Sequence, residues 1–241
     1  MRVGVVIVAY NEEKLLKACL KQFPEWIERI DVLVSSRPWN GQDAVNPGRT
    51  MDVLRSCADP RVKVFLNHWR LEHNQRNFGA GVQNEMDWSM IVDADEYYTP
   101  KDWEKLQYLM KTLPQSVKVI SANSTHTFWK TPEFALEYDN HKPPIALRPR
   151  FTSFWEKRET DCEERFLAEV TMEHFSWVRT DEEVWQKINN WAHSGDFDKK
   201  TWYNTKWLEW SLETENVHPY MGCQLKAVPS ICPPEILAYF D

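Results

Sequence analysis

The stretch Trp88-Ser-Met-Ile-Val-Asp93-Ala-Asp95-Glu96-Tyr-Tyr-Thr-Pro100 decides the fold, because a short apolar run ends there in two carboxylates at positions i and i+2. Residues i and i+2 of a strand share a face, so Asp93 and Asp95 can converge on one divalent cation where the strand ends. Hard oxygen ligands of this kind favour Mg2+ or Mn2+, with substrate phosphates and water completing the coordination. The alternative is that both carboxylates cap the turn into a helix after Pro100. We expect the metal site, and with it a phosphorylated ligand.

Apolar runs and helical stripes alternate through the first half of the chain. Strands are predicted at residues 3–9, 30–35, 62–66 and 90–92, and helices from residue 11, over residues 73–86 and from residue 100. This alternation predicts an α/β fold of the Rossmann-like kind, with an open, mostly parallel sheet and helices on both faces. The ligand crevice of such a sheet lies beyond the carboxyl ends of its strands. Residues 10–12, 35–37 and 93–95 all follow predicted strand ends, so we expect them to share one crevice.

The second half of the chain does not continue the regular alternation of strands and helices. Strands are predicted at residues 117–122 and 144–151, and a helix at residues 202–210. Thr180 and Glu183 form a capping box that predicts another helix directly after them. With no repeat or linker between the halves, we expect one domain over residues 1–241. Its front half (1–115) would face the nucleotide part of a ligand, and its back half (116–241) would carry the additional elements around it.

Composition narrows the class of protein. A chain of 241 residues with 42% hydrophobic content can bury a substantial core. The net charge of -7 argues against broad electrostatic binding of nucleic acid or of an anionic membrane. The apolar run at residues 3–9 is too short for a signal peptide or a membrane span, and the five scattered cysteines form no Cys-x-x-Cys pair. These features predict a cytoplasmic protein with reduced thiols and no membrane partner.

Four motifs carry a resemblance to a known family. They are VVIVAYNE (5–12), QRNFG (75–79), DADE (93–96) and HFSWVR (174–179). In this order and spacing they resemble GT-A fold glycosyltransferases of the family 2 type, in particular the short soluble transferases frequent in bacteriophage and bacterial genomes. The resemblance extends from residue 1 to about residue 195. Residues 35–41 (SSRPWNG) depart from it, because the family usually has an acidic, Ser/Thr-rich turn there.

The resemblance implies a nucleotide-diphosphate sugar as donor, with Mn2+ or Mg2+ bridging its phosphates. Asp95, in the position of the family's DXD motif, would hold the cation, and His174 would supply a further protein ligand. Asp93 would contact the ribose, or the cation directly or through water. The other donor-binding residues implied are Tyr10, Asn11, Glu12, Arg76 and Asn77.

Two of these residues have a structural alternative. Arg76 follows Glu72 by four residues, which is the spacing of a helical salt bridge. His174 lies beside Phe175 and Trp177, where a histidine is often a buried structural residue. Its place in the family motif, just before a capped helix, favours the metal-ligand interpretation.

An inverting transferase also requires a carboxylate that takes the acceptor's proton. The charged stretch at residues 159–165 lies where the family commonly carries this group, and Asp161 and Glu164 are the candidates. The alternative for each is a solvated surface charge. A retaining mechanism would need no such base.

Aromatic and basic residues lie close together in the back half of the chain, at residues 128–130, 138–142, 148–150 and 155–158. Such a strip can bind a polyanion by stacking and phosphate contacts, which makes a hydroxymethylated base of phage DNA an acceptor candidate beside a soluble glycan or a protein. The candidate acceptor residues are Trp129, Arg148, Arg158 and His193. The opposing interpretation is that the rings belong to the core and the cations to a solvated rim.

Two other functions stay open from sequence. A GT-A module can bind a nucleotide-sugar or a glycan without turnover, since a fold does not establish an activity. A nucleotidyltransferase shares the sheet and the metal chemistry, but normally has a glycine-rich phosphate loop after the first strand. Residues 9–14 (AYNEEK) contain no glycine.

Overall fold

The computed structural model describes residues 1–40, 48–137, 139, 141–190, 194–219 and 225–241. The strands are β1 (Val3–Ala9), β2 (Arg29–Ser35), β3 (Val62–Asn67), β4 (Trp88–Asp93), β5 (Glu96–Tyr97), β6 (Val119–Trp129), β7 (Thr131–Leu136), β8 (Pro144–Leu147), β9 (Phe154–Glu156), β10 (Glu159–Thr160), β11 (Arg165–Trp177) and β12 (Ala227–Pro229). The helices are α1 (Lys14–Cys19), α2 (Gly48–Ser56), α3 (Glu72–Val82), α4 (Pro100–Thr112), α5 (Asp181–Asn190), α6 (Lys199–Trp202) and α7 (Pro234–Leu237). A π-helical turn (Tyr203–Leu208) continues α6, and a 3-10 turn (Ala238–Phe240) follows α7.

One ten-stranded sheet organises the molecule, with the main order β12-β7-β6-β8-β4-β1-β2-β3. β1 pairs in parallel with β2 and β4, and β2 pairs in parallel with β3. β8 is antiparallel to both β4 and β6 and so joins the two predicted halves in one sheet. The predicted fold class is confirmed: a mixed α/β fold whose central sheet is flanked by helices.

The front of the sheet forms where the apolar runs predict it. All residues of β1 are buried, as expected for a strand covered on both faces. Helix α3 packs closely on this strand because it has a glycine at the contact. A Cβ at Gly79 would overlap the side chain of Val6 and lie 2.9 Å from Cδ1 of Leu33. This close approach sets the height of α3 above the sheet, and therefore the position of Arg76 on the preceding turn.

Several back-half elements differ from the predictions. Residues 165–177 form the long strand β11, which lies between β5 and β6 and contains His174. No strand was predicted there, because the charged side chains in this segment hide its alternation. The predicted strand 144–151 ends at Leu147, and the predicted helix 202–210 is divided between α6 and the π-helical turn. Helix α2 was not predicted.

A second core lies behind this part of the sheet and is built from tryptophans. The rings of Trp129 and Trp207 have centroids 5.1 Å apart, and Trp177 and Trp202 pack beside them. The four indoles contribute large apolar areas, which accounts for part of the unusual tryptophan content of the chain. Among the described residues, no helix has the length and apolar character needed to cross a bilayer.

Candidate active site

A cavity of about 680 Å3 lies at the carboxyl ends of β1 and β4. Register places Val8 opposite Asp93, so the segments that follow the two strands leave the sheet at the same edge. The chain turns at Asn11, whose φ of 52° is in the left-handed region that asparagine tolerates better than most residues. A crevice is therefore present where the ends of β1 and β4 predict it, lined by residues 10–12 and 93–95. Residues 35–37, which were also predicted to line it, do not, and Pro38 and Trp39 line it instead.

Two groups of ion pairs meet in this cavity. The closed cluster consists of Glu72, Arg76, Asp93, Glu96 and Arg158. The open cluster consists of Glu12, Asp95, His174, Arg179 and Lys187.

Every carboxylate of the closed cluster is held by an arginine. Arg76 donates from Nη1 and Nη2 to the two oxygens of Asp93, at 2.8 and 2.9 Å, and bonds Glu72 at 2.7 Å. Arg158 pairs with Glu96, whose other oxygen accepts the backbone N–H of Asp93 at 2.9 Å. Arg76 is only 1% exposed, so these charges are satisfied within the protein.

The open cluster is arranged around a single oxygen of Asp95. Arg179 donates two bonds to Glu12, at 2.9 and 2.7 Å, and reaches Oδ2 of Asp95 at 3.2 Å. Lys187 donates to the same Oδ2 at 3.2 Å and to Oγ of Ser176 at 2.7 Å. The other oxygen of Asp95, Oδ1, lies 3.7 Å from Nε2 of His174.

Strand β11 brings His174 to this position. The backbone N–H of Phe175 donates to the carbonyl of Asp95 at 2.8 Å, and His174 lies in register with Thr127 on β6. The Thr127 hydroxyl donates to Oδ2 of Asp139 at 2.6 Å, and its oxygen lies 3.2 Å from Nδ1 of His174. Because the threonine proton is used by Asp139, we assign the proton of the neutral imidazole to Nδ1, which donates to Thr127. The lone pair of Nε2 is then directed toward Asp95.

The protonation states in the open cluster follow from burial and charge. Burial lowers the pKa of His174, although the neighbouring Asp95 opposes this effect. Burial alone would raise the pKa of Asp95, but Lys187, His174 and Arg179 together hold it well below its usual range. At neutral pH a neutral imidazole therefore faces an ionised carboxylate, with no hydrogen atom between them.

This pair of acceptors fits a divalent cation. A cation about 2.1 Å from each of two donors holds them no more than about 4.2 Å apart, which accommodates the observed 3.7 Å. Within the described ranges no three His, Cys, Asp or Glu side chains form a metal site, so two protein donors would be completed by ligand oxygens and water. Asp93 is less accessible as a donor, since Arg76 engages both of its oxygens.

The cavity brings together most of the residues predicted to bind the donor. Those lining it are Tyr10, Asn11, Glu12, Arg76, Asp93, Asp95, His174 and, from the acceptor candidates, Arg158. The salt bridge between Arg76 and Glu72 that the sequence offered as an alternative is also present.

Other predicted residues lie outside the cavity lining. The amide of Asn77 bonds both the backbone N–H and the carbonyl of Phe154, at 2.7 Å each. Asp161 accepts the N–H and hydroxyl of Ser153, and Glu164 accepts from the thiol of Cys162. Both carboxylates are on the exterior beyond β10.

Burial removes two of the acceptor candidates from contact with any ligand. The Trp129 ring is fully buried in the tryptophan core. Arg148 is 5% exposed, lies over the ring of Trp88 at 4.2 Å and donates to the carbonyl of Val117. The interpretation of these rings as core holds for Trp129. His193 lies outside the described residues.

Lys187, Thr127 and Asp139 also contribute to the site, although no role was predicted for them, and Arg179 was noted only as the last residue of a motif. Arg179 could have been identified from that motif. Lys187 lies two turns into the capped helix α5, where an exposed lysine is equally common. Thr127 and Asp139 carry no sequence signal, because their role depends on the pairing of β6 with β11.

Comparison with known proteins places the chain among sugar transferases. Residues 4–180 match the sequence model described as Glycosyl transferase family 2. The SPbeta prophage-derived glycosyltransferase SunS of Bacillus subtilis (strain 168) is 23% identical over 107 residues, which cover 44% of this chain and 23% of that protein. The Glycosyltransferase SunS of Bacillus phage SPbeta matches with the same values. The matched region thus spans less than a quarter of these relatives.

Among solved structures, the mannosyltransferase PcManGT from Pyrobaculum calidifontis, in complex with GDP-Man and Mn2+, is similar with a TM-score of 0.49 and 13% identity. The similarity covers 78% of this chain and 61% of that one.

Proposed function

The chain belongs to glycosyl transferase family 2, and on that premise we propose that it is a metal-dependent enzyme that transfers a sugar from a UDP- or GDP-sugar to a hydroxyl acceptor. The observation that carries the metal dependence is the pair formed by Oδ1 of Asp95 and Nε2 of His174 in the cavity at the strand ends. Mn2+ or Mg2+ held there would offset the charge that develops on the diphosphate as the glycosidic bond breaks.

The charges of the cavity support a requirement for a cation. The closed and open clusters together hold five carboxylates and four basic side chains, so their ion pairs are nearly matched. A nucleoside diphosphate adds at least two negative charges to this enclosed space. Without a divalent cation it would face an excess of carboxylates in a medium that screens them poorly.

The protein's own residues would bind and orient the donor. Tyr10, Asn11 and Glu12 follow β1 and line the part of the cavity where the resemblance implies base and ribose contacts. Trp39 lines the same cavity and donates from its ring nitrogen to Gln75 at 2.9 Å, which fixes the indole. Arg76 orients Asp93 at the end of β4.

An inverting reaction requires a base within reach of the acceptor hydroxyl. Asp161 and Glu164 were predicted for this role but do not line the cavity. Glu156 and Glu159, at the paired ends of the β9–β10 hairpin, do line it, and we propose them as the candidates. The acceptor oxygen would attack the anomeric carbon, lose its proton to this carboxylate and displace the nucleoside diphosphate.

The acceptor would be a glycan, a protein side chain or a hydroxymethylated DNA base. Burial of Trp129 and Arg148 weakens the support for a stacking strip, and with it the DNA alternative. A steep loss of activity with rising salt is expected only for a DNA acceptor.

The test is a panel of UDP- and GDP-sugars, assayed with and without Mn2+ against the three acceptor classes. We expect transfer only with metal, and a loss of at least about a hundredfold in kcat for Asp95→Asn. Asp52→Asn is the matched control, because Asp52 is exposed and forms its ion pair with the equally exposed Arg55. Equal binding of UDP and GDP with and without metal, measured by calorimetry, would contradict the metal requirement. Donor binding without transfer or donor hydrolysis would favour the non-catalytic module.

A further inference from the structure

We propose that Lys187 is a tethered counter-ion of the donor site. Its ammonium neutralises Asp95 while no metal is bound, and it moves from Oδ2 onto the donor diphosphate when a divalent cation binds the other oxygen of that carboxylate, Oδ1. This inference rests on the metal-dependent transfer proposed above, and it assigns a role to a residue that none of the sequence motifs contains.

The contacts of Lys187 hold its ammonium against Asp95 and Ser176 at the wall of the cavity. Its Nζ lies 3.2 Å from Oδ2 of Asp95 and 2.7 Å from Oγ of Ser176, and the side chain is 18% exposed to the cavity that it lines. Ser176 is two residues after His174 on β11, so its hydroxyl lies beside the metal-binding pair without belonging to it. An ammonium that swings about this hydroxyl stays within the cavity.

Arg179 is the other cation on Oδ2, and it is far less able to move. Its guanidinium makes two bonds to Glu12, and its Nε donates to the carbonyl of Ser176 at 2.9 Å. The planar fork is therefore fixed at three points, and the side chain is 8% exposed. Lys187 has a flexible four-carbon stem and three rotatable donors, so it can exchange one oxygen for another at little cost.

The positive charge of Lys187 has opposite effects in its two proposed positions, beside Asp95 and beside the donor diphosphate. Beside Asp95, its positive charge repels a divalent cation approaching the same carboxylate. Beside the diphosphate, the same charge stabilises the leaving group. Removal of the ammonium should therefore tighten metal binding and slow sugar transfer. If Lys187 had only a structural role, its removal would weaken metal binding as well as slow transfer.

The experiment measures Mn2+ binding and transfer separately. For Lys187→Met without donor, the Mn2+ dissociation constant determined by electron paramagnetic resonance should fall on the order of tenfold. At saturating Mn2+ and donor, kcat should fall at least about a hundredfold. Binding of UDP or GDP without metal should also weaken. Lys187→Gln can still bond Ser176 and should shift all three quantities in the same directions.

Two controls separate charge from general disturbance. Lys187→Arg keeps the positive charge beside Asp95. Its Mn2+ dissociation constant should therefore stay within about threefold of that of the unaltered protein. Lys111→Met, at an exposed position in the last turn of α4, should change neither the Mn2+ dissociation constant nor kcat. Thermal unfolding of each variant reports whether the fold is retained.

The outcomes distinguish this inference from the function on which it rests. If the unaltered protein binds Mn2+ but Lys187→Met and Lys187→Gln bind it equally or more weakly, the counter-ion role is overturned and the proposed function stands. If transfer by the unaltered protein proceeds without any divalent cation, the metal-dependent function fails and this inference fails with it.

Discussion

The closed and open clusters share one segment of chain but differ in what they leave available. Asp93 and Asp95 are two residues apart, yet both oxygens of Asp93 are bonded by Arg76, whereas among the described residues Oδ1 of Asp95 faces the lone pair of His174 and no hydrogen-bond donor. A carboxylate whose two oxygens are both bonded by a buried arginine contributes to the stability of the fold. A carboxylate with one oxygen facing another hydrogen-bond acceptor has room for a bound cation between the two. The difference indicates that the two acidic residues of the motif have separate roles.

The largest effect that tests this comparison is expected at the centre of the closed cluster. Arg76→Met leaves Asp93 and Glu72 without their buried partner, and breaking such a pair costs about 3–5 kcal/mol. We expect the free energy of unfolding, measured by urea denaturation, to fall by that amount. Arg55→Met removes an exposed pair with Asp52 and should cost less than about 1 kcal/mol. A comparably small loss for Arg76→Met would show that the closed cluster is not a structural support.

A smaller effect is expected at Thr127, which contacts the histidine of the proposed metal-binding pair in the open cluster. Thr127→Val removes the hydroxyl that accepts from Nδ1 of His174, so the imidazole can adopt the tautomer that places a hydrogen on Nε2. The affinity for Mn2+ should fall about 10–100-fold, a typical loss for such a partner.

The matched control for that variant is Thr125→Val, on the same strand. The Thr125 hydroxyl donates to the carbonyl of His141 and makes no bond to His174. The Thr125→Val variant should therefore bind Mn2+ with nearly the same affinity as the unaltered protein. Nitrogen-15 chemical shifts of the His174 ring in the metal-free protein identify the tautomer directly. A proton on Nε2 in the unaltered protein would falsify the assignment.

The smallest effect concerns pH. Burial lowers the pKa of His174 below its usual value of 6.5, so between the two pKa values the unfolded chain binds the proton and the folded protein does not. The stability contributed by this group is therefore present at neutral pH and is lost as the pH falls below about 6.5. Because the same neutral imidazole would bind metal, Mn2+ affinity should stay constant within about twofold from about pH 7.5 down to about pH 6.5. A titration of Mn2+ binding whose midpoint lies above pH 7 would contradict the lowered pKa.

The parts of the fold that were predicted correctly have strong local signals. Residues 3–9 form a strand with the predicted bounds, because a continuous apolar run of that length has few alternatives to a buried strand. The capping box is also present, with Glu183 accepting from the N–H of Thr180 at 2.8 Å. By contrast, β11 was missed because Glu169 and Glu173 interrupt its apolar pattern, and its nine registered pairs with β6 stabilise it instead.

The sequence by itself determined that Asp93 and Asp95 follow a buried strand and meet the segment after β1, because strand periodicity and parallel alternation place both at one edge of the sheet. Only the tertiary structure decided which partner each carboxylate has. Arg76 comes from α3, while His174 and Lys187, which follow Asp95 by 79 and 92 residues, come from β11 and α5. The spacing of two aspartates in sequence does not encode these contacts. They depend on how closely α3 approaches β1 and on the register of β11 between β5 and β6, and both are set by packing across the whole sheet.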